Sequence, residues 1–177
     1  MGPIEQYYRS LYGEPERQAK FVSPEGVTIE IFKWGEEQTD EGVAMYCTSG
    51  ASSVLGDNRI SCEFFIGIAP PVDGIAPALA EVALHGNGSI QVPSYGDSIT
   101  LTYDLWPGTK ARSFLFTDGE EIIPTVSVDQ KKIKFIQLVP LYDSELQFKR
   151  SHSEAALWQK FEELMVPYWD SAREKAF

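Results

Sequence analysis

Ser52, Cys47, Cys62, His85 and His152 are the side chains of this chain best suited to nucleophilic or general-base chemistry, and Glu36, Glu37, Asp40 and Glu41 are its densest group of potential cation ligands. Gly50-Ala51-Ser52 supplies the first three positions of a G-x-S-x-G nucleophile elbow, but Val54 stands where the closing glycine belongs and no helical pattern follows. A hydrolase would therefore need Ser52 or Cys47 to be activated by a histidine that folding brings from far away in sequence. A tight polar turn is the better account of this stretch. Cys47 and Cys62 form no C-x-x-C and lack a nearby histidine to complete a zinc set, so they read as buried thiols of a reducing compartment. The four carboxylates lack the alternating ligand order and closing glutamate of an EF-hand, which leaves an exposed acidic loop. Neither a metal nor a cofactor is expected. His85 falls in the last turn of a helical pattern, where a cation is favoured by the helix dipole.

The elements that would position these groups centre on Lys132-Ile133-Lys134-Phe135-Ile136-Gln137-Leu138-Val139-Pro140-Leu141. Alternation at its start gives way to an almost unbroken apolar run, the pattern of a strand entering the middle of a sheet covered on both faces. Pro140 lacks an N–H, so regular pairing is expected to end near Val139. Gln137 is the polar exception and reads as a core amide with its hydrogen bonds satisfied. Asp143 and Ser144 can cap a helix starting at Glu145, and Ser151 with Glu154 fits a capping box for a longer one carrying Leu157, Phe161 and Leu164 on one face. Pro167 ends that helix, and residues 168–177 either pack back or fray.

Earlier in the chain, Pro3–Gly13 reads as a short helix, and Val27–Trp34, Val43–Thr48 and Ser61–Ile68 read as strands. Ile75, Leu79 and Val82 share a face of a helix over 74–85. Shorter strands are expected at 89–92, 98–103, 111–117 and 125–128, separated by Pro107-Gly108 and Asp118-Gly119 turns. A symmetric hairpin about positions 54 and 55 would set Cys47 opposite Cys62, on one face with Met45 and Phe64. The expected fold class is α+β, a largely antiparallel or mixed sheet with flanking helices, with residues 1–177 forming a single domain.

Length and composition fit that expectation: 177 residues, 43% hydrophobic and 12% aromatic, are globular values. No apolar run reaches the roughly 20 residues of a membrane helix, and the N-terminus lacks a basic-then-apolar pattern, so a cytoplasmic, non-membrane protein is expected. The formal charge is −11. Residues 43–109 carry six acidic side chains and one basic one, Arg59, which argues against nucleic acid as a partner.

Several short stretches, in order, resemble the suppressor-of-fused domain family. Thr48-Ser49-Gly50-Ala51-Ser52 is similar to its T-x-G-x-S turn, Glu63-Phe64-Phe65-Ile66 to an acidic-then-apolar strand, and Trp106-Pro107-Gly108 to a P-G turn. Phe135-Ile136-Gln137-Leu138-Val139-Pro140-Leu141 followed by Glu145 matches the family's F-x-Q-L-V-P-L strand and acidic residue most fully. The agreement runs from about Ile29 to Leu164. The resemblance implies a suppressor-of-fused-like domain of the bacterial, single-domain type, whose members are thought to act as immunity proteins in polymorphic toxin systems. It brings no catalytic residue set with it.

A non-enzymatic protein-binding domain that neutralises a cognate toxin is therefore the leading expectation, with a regulator or scaffold for an endogenous protein second and a hydrolase last. An acidic surplus suits a basic toxin domain. The candidate partner-binding residues are Glu36, Glu37, Asp40 and Glu41 on the first loop, Asp57, Asn58 and Arg59 on the second, and Trp106. The two loops should lie at opposite ends of the shared strand, roughly 20 Å apart.

Overall fold

The computed structural model describes all residues from Met1 to Phe177. One sheet of eight strands organises the chain. In chain order they are β1 (Arg17–Val22), β2 (Thr28–Trp34), β3 (Ala44–Ser49), β4 (Ile60–Ile68), β5 (Ser98–Thr100), β6 (Ser113–Asp118), β7 (Val126–Val128) and β8 (Lys131–Leu141). Four helices flank them: α1 (Pro3–Tyr12), α2 (Ala76–His85), α3 (Asp143–Ser151) and α4 (Glu154–Glu163). The spatial order is β1-β2-β3-β4-β8-β6-β5, with β7 also paired to β8. Every pairing is antiparallel except β4 with β8, which is parallel. The sheet is thus mixed, and β8 lies inside it with partners on both edges, as its apolar run predicts.

Pro140 does not end the pairing at Val139. It faces Phe114 in the β6–β8 register, which continues to Leu141. The Pro140 carbonyl accepts from Arg173 Nη2 at 2.9 Å, so its polar edge faces away from β6 and the ladder loses no donor there.

Alternation divides the core between the two faces. Phe64, Ile66, Ile136, Leu138 and Phe116 face α2, whose Ala78, Val82 and Ala83 are small enough to let the helix lie close. On the other face Ile133 and Phe135 pack with α1 through Tyr8, whose ring lies 5.6 Å from Trp34 and 5.5 Å from Phe135. Val139 and Leu141, farther along the same face of β8, pack instead with Leu146, Leu157 and Phe161 of α3 and α4. Gln137 falls between these two groups.

The hairpin of β3 and β4 is not symmetric about positions 54 and 55. Cys47 pairs with Phe65, and Met45 with Gly67. This three-residue offset puts Cys47 on the α1 face with Met45 and Phe65, and Cys62 on the α2 face with Phe64. The two thiols are free, buried and on opposite sides of the sheet. The offset has a local cause in Glu63, a fully buried carboxylate facing the 50–59 turn. One oxygen accepts the N–H groups of Gly50 and Ser52 at 3.0 Å each, and the other accepts Thr48 Oγ1 at 2.6 Å and Ala51 N at 3.2 Å. Gly50 sits at φ 124°, where a Cβ would also collide with the Thr28 carbonyl, so only glycine brings its N–H to this position. Burial raises the Glu63 carboxyl above its ordinary range, and the Thr48 hydroxyl with the Ser52 and Gly50 amides draws it back.

A second buried carboxylate fixes the C-terminus. Glu145 is fully buried and receives Arg173 through two contacts, 2.7 Å and 2.9 Å, together with the N–H groups of Tyr142 and Ala176, both at 2.9 Å. The guanidinium also lies 5.0 Å from the centroid of the Tyr142 ring. The last residues therefore pack back rather than fray. Several helix starts differ from the sequence reading. The helix α3 begins at Asp143 with Tyr142 as N-cap, and Ser144 donates instead to the Phe177 carbonyl. Ser153, not Ser151, caps α4 by accepting from Ala156 N at 3.0 Å, and Leu164 lies past the helix end, 48% exposed. Residues 89–92 form no strand, while β1, an edge strand with mostly exposed side chains, has no counterpart in the sequence reading.

Two outcomes follow. Glu63→Gln leaves an amide NH₂ facing backbone donors and should lower stability by about 2–4 kcal/mol, read as a reduced urea midpoint. Arg173→Ala strands a buried carboxylate and should remove about 3–5 kcal/mol, with Arg173→Lys restoring little because an ammonium cannot match the two-point contact. A midpoint unchanged in either alanine or glutamine variant would contradict the role assigned to that carboxylate.

Candidate partner-binding surface

Strand β3 runs from the acidic loop to the 50–59 turn, so the two candidate loops lie at its opposite ends. The acidic loop is pinned from inside. Gly35 N donates to Gln38 Oε1 at 3.0 Å, Gln38 Nε2 donates to the Glu14 carbonyl at 2.7 Å, and Thr39 Oγ1 donates to the Val43 carbonyl at 2.7 Å. These bonds leave Glu36, Glu37, Asp40 and Glu41 exposed, and none of the four takes part in an ion pair. Four carboxylates held on an ordered loop without counter-ions project negative potential from one end of the sheet.

At the other end Asp57 is spent on its own turn. Its Oδ1 accepts from Arg59 N at 2.7 Å and Ile60 N at 2.9 Å, and these backbone bonds lower its carboxyl below the ordinary range. Asn58 and Arg59 are exposed, and Asn58 lines a shallow open groove with Ser49, Ser52 and Lys131. Lys131 Nζ donates to the Ser52 carbonyl at 2.8 Å.

Trp106 requires a correction. It is only 5% exposed and belongs to the core on the α2 face, because the Trp106-Pro107-Gly108 turn packs against the start of α2, where a Cβ on Gly74 would approach Pro107 Cδ to 2.7 Å. It is a core anchor and presents no binding surface. The exposed tryptophan is Trp169, at 46%, a residue the sequence reading did not single out.

Trp169 stands beside a cleft that the fold creates at Gln137. Parallel pairing of β4 with β8 stops at Phe65 opposite Gln137, and beyond this point the strands diverge. The C-terminal segment enters the gap: Ala69 N donates to the Trp169 carbonyl at 3.0 Å, and Ser171 N returns to the Ala69 carbonyl at 3.0 Å. The gap is only partly filled. A cavity of about 260 Å³ remains, floored by Phe65, Gly67 and Gln137, with Val43 and Met45 on one side and Tyr168 and Trp169 on another. Glu41 of the acidic loop and Ile122 complete its edge. Asp118-Gly119 delivers Ile122 there, since a Cβ at Gly119 would collide with the Phe65 ring and the Phe135 carbonyl.

Gln137 is half-buried and is not the satisfied core amide expected. Its carbonyl accepts from Thr117 Oγ1 at 3.1 Å, but its side-chain amide makes no hydrogen bond within the protein and opens into the cleft. On the far side of Tyr168 and Trp169 a shallow hollow of about 420 Å³ continues over Trp158, Val166 and Met165. Met165 is held at φ 50° and is 86% exposed; Leu164 beside it is 48% exposed. An acidic loop thus meets an apolar surface with a tryptophan at its centre, the composition of an interface core with a charged rim.

The groups considered for hydrolysis do not converge. Cys47 is fully buried, and burial with the nearby Glu63 pushes its thiol well above the usual range, away from the nucleophilic thiolate. His152 stacks on Phe148 at 4.1 Å and bonds to Ser151, while His85 ends α2 in solvent. No group of three His, Cys, Asp or Glu side chains is placed to hold a metal ion. No helix is long and apolar enough to cross a membrane.

The fold is shared with three solved structures, each aligned over 98% of this chain. A suppressor of fused homolog from Neisseria gonorrhoeae is 19% identical over 94% of its own length, with a TM-score of 0.71. A chain of a Sufu–Fu complex is 14% identical over 91% of its length, TM-score 0.70. Drosophila Suppressor of Fused is 15% identical, TM-score 0.72, but the alignment covers 50% of that longer chain. At these identities the likeness establishes the fold alone. No curated protein matches the chain. The family model for suppressor of fused protein matches residues 25–174, which takes in β2 to β8 and the C-terminal segment that closes the sheet. The chain belongs to the suppressor of fused protein (SUFU) family.

Proposed function

We propose that residues 1–177 form a single non-enzymatic protein-binding domain that serves as a cytoplasmic immunity protein, neutralising a cognate toxin domain of a bacterial polymorphic toxin system by direct contact. The observation that carries this reading is the junction of the unpaired carboxylates Glu36, Glu37, Asp40 and Glu41 with the apolar surface around Trp169. Carboxylates without counter-ions speed the approach of a basic partner, and a half-exposed tryptophan between two hollows supplies the contact that holds it. The solved complex of a family member with Fu supports a protein as the class of partner. It equally favours a second reading, regulation of an endogenous protein, in which the same surface is used and no toxin is involved.

The first test is whether the product of the adjacent gene is toxic and whether this chain relieves that toxicity when co-expressed. With that partner in hand, replacing Glu36, Glu37, Asp40 and Glu41 by Gln or Asn should slow association about tenfold at low salt and flatten its salt dependence. Trp169→Ala should leave association nearly unchanged and raise the dissociation rate about tenfold or more. An unaltered association rate and salt slope would remove the acidic loop from the interface. A harmless neighbour, with an endogenous protein captured instead, would favour the regulatory reading.

A further inference from the structure

We propose that the cleft at Gln137 receives an arginine side chain of the protein partner. This rests on the protein-binding reading above and specifies the chemistry recognised at one point of that surface. The cavity, about 260 Å³, lies below the range of roughly 300–1,000 Å³ usual for small-molecule sites. It is sized for one long side chain entering from a neighbouring surface.

Its lining selects among side chains. Only one charged residue borders it, Glu41, and that carboxylate has no ion-pair partner in the protein. An anionic side chain would meet like charge and no cation. A purely apolar one would seal the Gln137 amide away from water with nothing to bond, which is unfavourable for a buried polar group. A lysine could neutralise Glu41, but it is a compact ammonium whose donors do not spread across two acceptors in one plane. Arginine meets every demand of the lining. Its aliphatic stem lies against Val43 and Ile122, the partly exposed apolar residues of the lining, and its planar head stacks on the aromatic wall of Tyr168 and Trp169. The guanidinium fork then donates both to the Glu41 carboxylate and to the Gln137 amide oxygen. The long-range field agrees, since Glu36, Glu37 and Asp40 lie on the same loop as Glu41 and the chain carries a formal charge of −11.

The protein alone suffices for the test. Titrating N-acetyl-arginine-methylamide into ¹⁵N-labelled protein should shift the Gln137 side-chain amide and the Trp169 indole signals. The arginine compound should bind about fivefold or more tightly than its lysine and norleucine counterparts. Glu41→Gln, on an exposed loop where folding is not at stake, should weaken the arginine compound by about fivefold. Gln137→Leu should narrow its preference over norleucine and remove most of its preference over lysine, because Glu41 still attracts either cation. Equal binding of arginine and norleucine compounds, shifts confined to Glu36 and Glu37 without Gln137, or no shift at millimolar probe would each overturn the proposal. Because the probe is a small molecule, such a result leaves partner binding untouched. Conversely, absence of any protein partner would defeat the functional reading whatever the probe does.

Discussion

The parallel pairing of β4 with β8, and the fact that it stops at Phe65 opposite Gln137, is the constraint on which the rest of this structure depends. Two parallel strands that separate inside a sheet leave unpaired backbone groups and uncovered side chains, neither of which a protein interior tolerates. The C-terminal segment answers the first need by bonding to Ala69 on one side and sending Arg173 to the Pro140 carbonyl on the other. The second need is met only in part. The helix α1 covers β8 at Ile133 and Phe135, while α3 and α4 cover it at Val139 and Leu141. The residue between is Gln137, and no helix covers it. A polar side chain in an apolar strand thus marks the seam between two packed groups on one face.

Two buried glutamates hold the geometry around that seam. Each neutral or cationic donor set is nearly saturated: four donors for Glu63, and a two-point guanidinium with two backbone N–H groups for Glu145. Each thereby converts one side chain into a tie between distant parts of the chain. Glu63 sets the 50–59 turn and with it the β3–β4 register, which brings Met45 and Gly67 into the lining of the cleft. Glu145 captures Arg173 and so positions the segment that bears Tyr168 and Trp169. Buried charge acts here chiefly as a specifier of geometry, because its desolvation is offset only in the single arrangement that supplies every donor.

These ties explain what the sequence could and could not show. The central position of β8 is legible because a long apolar run fits only a strand covered on both faces, and α1 and α2 are legible from periodicity and glycine stops. The cysteine register is not. Turn symmetry was the only local guide to it, and the true offset follows from hydrogen bonds between Glu63 and residues 11–15 positions earlier. Strand β1 was hidden because an edge strand with mostly exposed side chains carries almost no apolar alternation. The tryptophans show the same limit. Trp106 and Trp169 both lie next to proline-containing turns, and which one reaches solvent depends on tertiary contacts, Pro107 against Gly74 in one case and the seam beside Ala69 in the other. Gln137 was visible as an anomaly, but whether its amide is satisfied depends on which helices end where.

The candidate surface therefore combines features encoded at different ranges. The acidic loop is local: glycine-bounded, charged and readable from eight residues. The cleft beside it is assembled from β3, β4, β8, the Gly119 turn and the C-terminal segment, and none of these alone suggests a site. Their adjacency follows from the topology. The loop enters β3, β3 pairs with β4, and β4 separates from β8 at the end of the sheet that the loop caps. Changes in loop charge can alter attraction without disturbing the sheet, because the loop's internal bonds come from Gln38, Thr39 and backbone groups rather than from its carboxylates. Changes in the cleft cannot be made so freely, since Met45 and Phe65 also belong to the core packed against α1. Under the proposed protein-binding reading, a surface built this way separates two properties: the exposed loop would govern how fast a charged partner arrives, and the cleft, tied to the core, would govern which side chain it must bring.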